Sequence, residues 1–316
     1  MLDLIIIGAS AAGLSASVYA ARRNLNFVVV AKDVGGEVAL SGEIENWPSV
    51  IHTDGIALAR AFHEQAKSYG VRIEEGVEVI AIKPKKKYQI VMAKDSTGKE
   101  ILYEAKAILI ASGIHPRELD IPGEKKLKGR GVTSCTVCDG PLFKGKVTAT
   151  IGAGNSALES ALMMGSIAQK VYLITKYPNS AETNGGFPKG EHILIEKVKS
   201  LTNVEIVHNA NTIRINGEKK VTGLTYTDNT TLAEKEIVID AAMIHVGMIP
   251  NSSFIEKIDK TPSKEIIIDL LGRTNLTGIF AAGDVTNIPF KQIAIASGQG
   301  VTAVLSAIDY INRWKE

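Results

Sequence analysis
The chain has 316 residues, which at about 150 residues per domain points to two domains with a sizeable core. With 36 Lys+Arg against 34 Asp+Glu, 45% hydrophobic and 22% charged residues, it has none of the bias of a nucleic-acid binder, a disordered tail or a fibre. Its 29 glycines mark many tight backbone positions, and two cysteines are too few for a stapled secreted scaffold.

The uncharged run from Leu4 to Ala21 raises the question of a signal peptide or a membrane span. Asp3 stands where a signal wants Lys or Arg, and Gly8, Gly13, Ser10, Ser15 and Ser17 dilute the run, so neither is expected. A cytoplasmic, reducing location follows, with no membrane and no nucleic-acid partner. The run divides instead into an apolar strand, Leu4 to Ile7, a glycine-bounded turn, Gly8 to Gly13, and a helix, Leu14 to Arg23. A second strand, Phe27 to Val30, completes a βαβ unit. Val/Ile-rich runs at 77–82, 88–92 and 108–111, separated by Lys-Pro and Asp-Ser-Thr-Gly turns, predict an antiparallel insert. The basic turn Lys83, Lys85 to Lys87 reads as a solvated hairpin tip. A second βαβ unit opens at Val147: strand 147–151, turn 152–157, helix face 158–164, strand 171–174. The repeat, about 145 residues on, indicates a duplicated nucleotide-binding unit. Strands at 204–207, 221–227 and 236–239, the run Gly278 to Asp284, and a helix from Gln292 to Ile311 complete the chain.

The first turn, Gly8-Ala9-Ser10-Ala11-Ala12-Gly13, is one substitution from the dinucleotide fingerprint, with Ser10 in place of the middle glycine. A serine is small enough for close approach, and its hydroxyl can donate to a phosphate. The acidic residue expected about twenty positions on is replaced by Ala31 and Lys32. The second turn, Gly152-Ala153-Gly154-Asn155-Ser156-Ala157, fits G-x-G-x-x-A in full, between strand and helix. Its ribose-reading position carries Thr175 followed by Lys176, which leaves NADH, NADPH and loss of nicotinamide binding all open.

The two cysteines, Cys135 and Cys138, fall three apart, a coincidence of roughly one in 150 for random placement. At that spacing they can share a helical face and close a small disulfide ring, and a helix N-terminus favours thiolate. Half of a zinc site is the alternative, but the six histidines (52, 63, 115, 192, 208, 245) show no ligand spacing and no metal is expected. Asp139, next to the second sulfur, can shuttle the proton that dithiol exchange moves, or simply cap or solvate the helix. His115 and His245 fall near the domain crossings, where hinge packing is the expected role.

Two dinucleotide turns with Cys135-x-x-Cys138 just before the second resemble the low-molecular-weight thioredoxin reductase family over the whole chain. Signatures similar to that family's stand at Gly35-Gly36-Glu37, Glu45 to Pro48, Ala111-Ser112-Gly113 and Gly278 to Val285. The segments Cys138 to Lys146 and Phe290 to Ala296 resemble the reductase portion of the alkyl hydroperoxide reductase flavoprotein. That flavoprotein also carries an N-terminal thioredoxin-like module; Met1 leads directly into the first strand, so any such module is expected on a separate protein.

The resemblance implies an α/β fold of two Rossmann-like three-layer nucleotide-binding domains, the second inserted in the first. A discontinuous FAD domain would comprise residues 1–115 and 246–316, and an NAD(P) domain carrying the Cys-x-x-Cys residues 116–245. By position Gly8, Ser10, Ala11 and Gly13 would meet the FAD pyrophosphate. Glu37 and Asn46 would lie near the flavin, Asp284 by the ribityl hydroxyls, and Gln292 and Ile293 at the flavin N1/O2 edge, where a helix dipole favours the anionic reduced ring. Gly36, Val79, Ala111, Gly113 and Gly283 would complete that site; Gly152, Gly154, Asn155, Ser156, Thr175 and Lys176 would hold NADH or NADPH. The family commonly has Gln where Glu37 stands. Its NADPH-using members carry His-Arg-Arg where Thr175-Lys176-Tyr177 stands, and its NADH-using relative a Glu, so neither pattern is met.

Implied chemistry runs from NAD(P)H through FAD to the Cys135–Cys138 disulfide, with Cys138 facing the flavin and Cys135 attacking a thioredoxin-like or glutaredoxin-like partner. A homodimer is implied, as is domain rotation about hinges at 113–116 and 247–250. Alternatives are a ferredoxin-dependent or oxygen-consuming dithiol flavoenzyme, and a non-enzymatic nucleotide-binding redox sensor.

Overall fold
The computed structural model describes residues 1–41 and 43–315, excluding the Glu43 side chain. The chain divides into two units, Met1–His115 with Ile249–Glu316, and Pro116–Met248. The return crossing lies three residues beyond the expected one, because Val246 still packs on the core of the second unit. The crossings Ile114–Pro116 and Met248–Pro250 pair as a short two-stranded ribbon.

In the first unit, strands run in the order Ile73–Glu75, Phe27–Val34, Leu2–Ala9, Glu100–Ile110, Gln89–Lys94, Glu78–Pro84. Ile279–Ala281 pairs with the far half of Glu100–Ile110. The expected antiparallel insert is present, Glu78–Pro84, Gln89–Lys94 and the first half of Glu100–Ile110, but its last strand begins at Glu100 rather than at 108 and runs on into the parallel core. Residues 100–105 pair antiparallel with Gln89–Lys94, while residues 105–110 run parallel to Leu2–Ala9. The sequence explains the change. Glu100-Ile-Leu-Tyr-Glu-Ala alternates, as a one-faced strand must, whereas Ala107 to Ile110 is continuously apolar and fully buried between two layers. Helices Ala11–Arg22, Gly55–Ser68 and Ile293–Asn312 cover one face, with Leu14, Leu58, Phe62 and Val304 in a common core. On the other face Ile255, Ile258, Ile266 and Val285 are supplied by the long segment that precedes the last helix.

The second unit has a parallel sheet in the order Val132–Thr133, Ala241–His245, Val147–Gly152, Lys170–Ile174, Val204–Val207. Helices Asn155–Ile167 and His192–Lys199 cover one face around Leu158, Met164 and Ile195. An antiparallel meander, Ala210–Asn216, Gly223–Asp228 and Glu234–Val238, covers the other. Each unit is thus three layers around a parallel core. Among the described residues no helix is long and apolar enough to cross a membrane.

Candidate active site
The first glycine turn follows the strand Leu2–Ala9. Gly8 has φ +111°, and a Cβ there would lie 2.2 Å from the Ala111 carbonyl oxygen; a Cβ on Gly13 would lie 1.9 Å from that of Gly8. Only glycine allows this closeness of strand, turn and helix. The helix Ala11–Arg22 has no acidic residue in its first turn and no side-chain cap. Ser10, the residue in cap position, donates its hydroxyl hydrogen to the Gly35 carbonyl at 2.5 Å. By that bond Ser10 pins the turn, while the helix's first-turn amides have no intrahelical acceptor.

Around this turn the same unit gathers several of the expected residues. Gly36 opens the short helical turn Gly36–Ala39, which holds Glu37 half-buried. Burial raises the Glu37 carboxyl above the ordinary range, Asp33 and Asp284 add to the rise, and His115 opposes it. Asp284 is raised by burial as well, with Lys291 pulling it back. Gly283, at φ +76°, brings this loop against Ala12 and donates its amide to Gln299 Oε1. Gln292 is the cap residue of the helix Ile293–Asn312; its Oε1 accepts from Asn46 Nδ2 at 3.1 Å. Val79 lies on the strand Glu78–Pro84 among hydrophobic neighbours, and Gly113 stands at the crossing, where its carbonyl accepts from the Asn251 amide. A tight backbone cradle at a helix N-terminus, beside two half-buried carboxylates able to accept from sugar hydroxyls, fits FAD.

The second turn keeps the same geometry. A Cβ on Gly152 would lie 2.2 Å from the His245 carbonyl oxygen and 2.8 Å from Ala157 Cβ, so both small residues of the fingerprint are required. The helix Asn155–Ile167 again lacks an acid in its first turn and a side-chain cap. This fits a dinucleotide pyrophosphate. Thr175 is only 1% exposed and donates to the Gly186 carbonyl at 2.7 Å, which ties it to the loop after the strand. Lys176 is exposed over the Tyr177 ring, and Ser156 is exposed at the helix start. The loop that follows is plugged by fully buried Phe187, and it returns to the turn. Lys189 forms a parallel bridge with Gly154, while Asn155 and Glu191 exchange two 2.8 Å hydrogen bonds. Glu159 is raised by burial and then by Glu191.

Cys135 and Cys138 form a disulfide spanning the start of the four-residue helix Thr136–Asp139. The Cys138 amide donates to Cys135 Sγ at 3.2 Å, and the Cys135 amide to Thr133 Oγ1 at 3.0 Å. Cys138 is exposed and Asp139 half-buried. His245, expected at a hinge, instead ends the strand Ala241–His245, second in the five-stranded sheet, and lies 2.8 Å from Thr136 Oγ1. Burial holds its imidazole down to about 4. His115, by contrast, does sit at the crossing, with its Nδ1 against Asn251 Oδ1. Thr136, His245 and the 184–191 loop escaped sequence reasoning. The available signals were a lone imidazole closing an apolar strand and a Gly/Pro/Asn-rich stretch after the second βαβ unit. Among the described residues no group of three or more His, Cys, Asp or Glu side chains is placed to hold a metal.

Two glycine turns that open parallel sheets, with a Cys-x-x-Cys disulfide at the surface of the second unit, define an α/β protein of dinucleotide-binding, disulfide-bearing class. The family profile "Pyridine nucleotide-disulphide oxidoreductase" matches residues 2–300, and the chain belongs to that family. It is 38% identical, over 98% of its length, to the alkyl hydroperoxide reductase of Pseudomonas putida (F subunit), and spans 58% of that relative's length. Among solved structures it is similar to the thioredoxin reductase of Lactococcus lactis (TM-score 0.85, 29% identity, 99% of both chains). It is also similar to that of T. acidophilum (TM-score 0.82, 37% identity, 98% of this chain and 99% of that one). FAD and NAD(P)H are the cofactors this kinship implies.

Proposed function
We propose that the chain passes electrons from NAD(P)H through FAD and the Cys135–Cys138 disulfide to a disulfide in a thioredoxin-like or glutaredoxin-like protein, as a cytoplasmic homodimer. The observation that carries the reading is the Cys135–Cys138 disulfide at the head of a surface helix, in a chain whose two units each present a glycine turn at a helix N-terminus. FAD, when bound at the first turn, supplies the two-electron relay that sulfur needs to accept hydride equivalents. Gly8, Ser10 and Gly13 shape that turn; Asp284 would accept from the cofactor's hydroxyls, and Gln292 with Ile293, at a helix N-terminus, would hold the flavin. Gly152, Gly154 and Asn155 offer the second turn to the nicotinamide cofactor.

The Cys135 thiolate attacks one sulfur of the partner's disulfide, and the other leaves as a thiolate. Cys138 then attacks the mixed disulfide, restoring Cys135–Cys138 and releasing the partner with two added electrons and two protons. Asp139, beside Cys138, is placed to carry one of these protons. Anaerobic titration of the yellow protein tests the reading: NADH or NADPH bleaches the flavin, and thiol titre rises by two per chain on full reduction. A flavin that neither nucleotide bleaches overturns it. The bonded loop on the second turn favours one alternative, reduced ferredoxin as donor, and the same titration run with ferredoxin separates the two.

A further inference from the structure
A helix of four residues has no stability of its own, so the segment that carries the dithiol must be held by its surroundings. Thr136, the residue directly after Cys135, is 5% exposed, and its Oγ1 lies 2.6 Å from Ser160 Oγ and 2.8 Å from His245 Nε2. Ser160 Oγ is in turn 3.3 Å from Thr150 Oγ1. These groups come from three separate elements: the helix Asn155–Ile167, the strand Ala241–His245 and the neighbouring strand Val147–Gly152. They meet in one polar line under the redox segment. A buried line of hydroxyls and an imidazole is costly unless every member is satisfied. Here it can be: Ser160 donates to Thr136 Oγ1, and Thr136 donates to the lone pair of a neutral His245 Nε2. None of the three is needed for sulfur chemistry, which leaves their placement to be explained by what they hold.

We propose that Thr136 and His245 are positioning residues that keep the two sulfurs of the reduced Cys135/Cys138 pair within bonding reach, and thereby set how readily the dithiol closes. This rests on reading the pair as the redox centre. The physical argument is one of effective concentration. Closing the ring costs little when the backbone between the cysteines is already pinned, and more when that turn frays and the thiols separate first. Cutting the tether weakens the disulfide relative to the dithiol.

The test is equilibration of the full flavin-loaded chain with dithiothreitol buffers under anaerobic conditions. In each exchange the reagent gives up two electrons and two protons as it cyclises, and the Cys135–Cys138 bond becomes two thiols. Alkylation and mass measurement read the reduced fraction. Thr136→Val, which removes the hydroxyl at nearly constant volume, and His245→Phe each shift the equilibrium about tenfold toward the dithiol, about 30 mV. Thr136→Ser restores the wild-type value. The double variant shifts no further than the larger single, because both changes cut one tether. A merely structural role lowers thermal stability and leaves the equilibrium where it was; values within twofold of wild type for both variants overturn the proposal. Should either variant fail to fold, Ser160→Ala carries the test, with about a threefold shift expected and none overturning it. If the wild-type pair exchanges with dithiothreitol but nucleotide-reduced flavin leaves it oxidised, the disulfide-reductase reading fails and the positioning role stands.

Discussion

At the first glycine turn the chain keeps its own side chains out of the way: Ser10 turns back to Gly35, and no acid enters the first turn of the helix. At the second turn the chain comes back onto itself. Glu191 and Asn155 exchange two hydrogen bonds, and Lys189 pairs with Gly154 along the backbone. The glycine geometry is shared, since a Cβ on Gly8 or Gly152 would lie 2.2 Å from a carbonyl at the end of the adjoining strand, that of Ala111 just past Ile110 or of His245. What differs is the competition. At the first turn the neighbouring carboxylates, Glu37 and Asp284, lie on other loops; at the second, the carboxylate of Glu191 is hydrogen-bonded to Asn155, the first residue of the helix. On the proposed function, this difference predicts tighter ligand retention at the first turn than at the second.

The sharpest way to break it is to fill each cradle. In Gly13→Val the new side chain strikes the Gly8 carbonyl, 1.9 Å from the added Cβ, so the turn must open. Flavin content, read as absorbance per chain after desalting, is expected to fall at least 100-fold. Retention of stoichiometric FAD would sink the assignment of that turn. Gly152→Ala is the matching change in the second unit, where the added methyl meets the His245 carbonyl at 2.2 Å. It is expected to weaken nucleotide binding at least tenfold in calorimetry while FAD content stays near one per chain.

Acid sets the two units against each other. Glu37 and Asp284, in the first, are raised by burial, so each binds a proton in the folded state before it does in the unfolded one. Their contribution to stability grows as pH falls toward the ordinary carboxylate range. His245, in the second unit, is lowered from 6.5 to about 4, so the unfolded chain takes the proton first. Stability is lost as pH falls from about 6.5 toward 4, by roughly 2 kcal/mol once partial contact with water is allowed for. Both tryptophans, Trp47 and Trp314, belong to the first unit, so their fluorescence during urea unfolding follows that unit, while amide exchange follows the second. Between pH 6.5 and 5 the second unit is expected to lose protection and His245→Gln to abolish the loss. Equal protection at both pH values in the wild type contradicts the assignment.

Much of this contrast could be read before any fold was known, and the part that could not has a physical reason. The glycine turns were legible because a positive φ and a close carbonyl admit almost nothing but glycine, so the motif is the geometry. The dithiol was legible from two cysteines three apart. The antiparallel insert is legible, but the full length of its last strand is not, because Glu100–Ile110 changes partners halfway, a tertiary event that a window of periodicity does not register. Thr175 was placed by its distance from the turn, yet its hydroxyl is claimed by Gly186 eleven residues later. Long-range bonds such as Thr136 to His245, 109 positions apart, leave no local pattern at all.

The smallest effect tests the carboxylate itself. Glu191 is an exposed residue, and its pairing with Asn155 is a neutral-to-charged bond at the surface, worth little in isolation. Its charge nevertheless stands beside the helix end where the pyrophosphate of a nucleotide would bind, and it already raises Glu159, which reports that its field reaches into this helix. Glu191→Gln keeps an acceptor for Asn155 and removes only the charge. Nucleotide binding is expected to tighten about three- to fivefold at low salt and to converge on the wild type as salt rises, because an exposed repulsion is screened over roughly 10 Å at 0.1 M. Weaker binding in the variant would instead make Glu191 a ligand of the nucleotide, placing the ribose-reading carboxylate that Thr175 lacks on the returning loop and making the two turns alike after all.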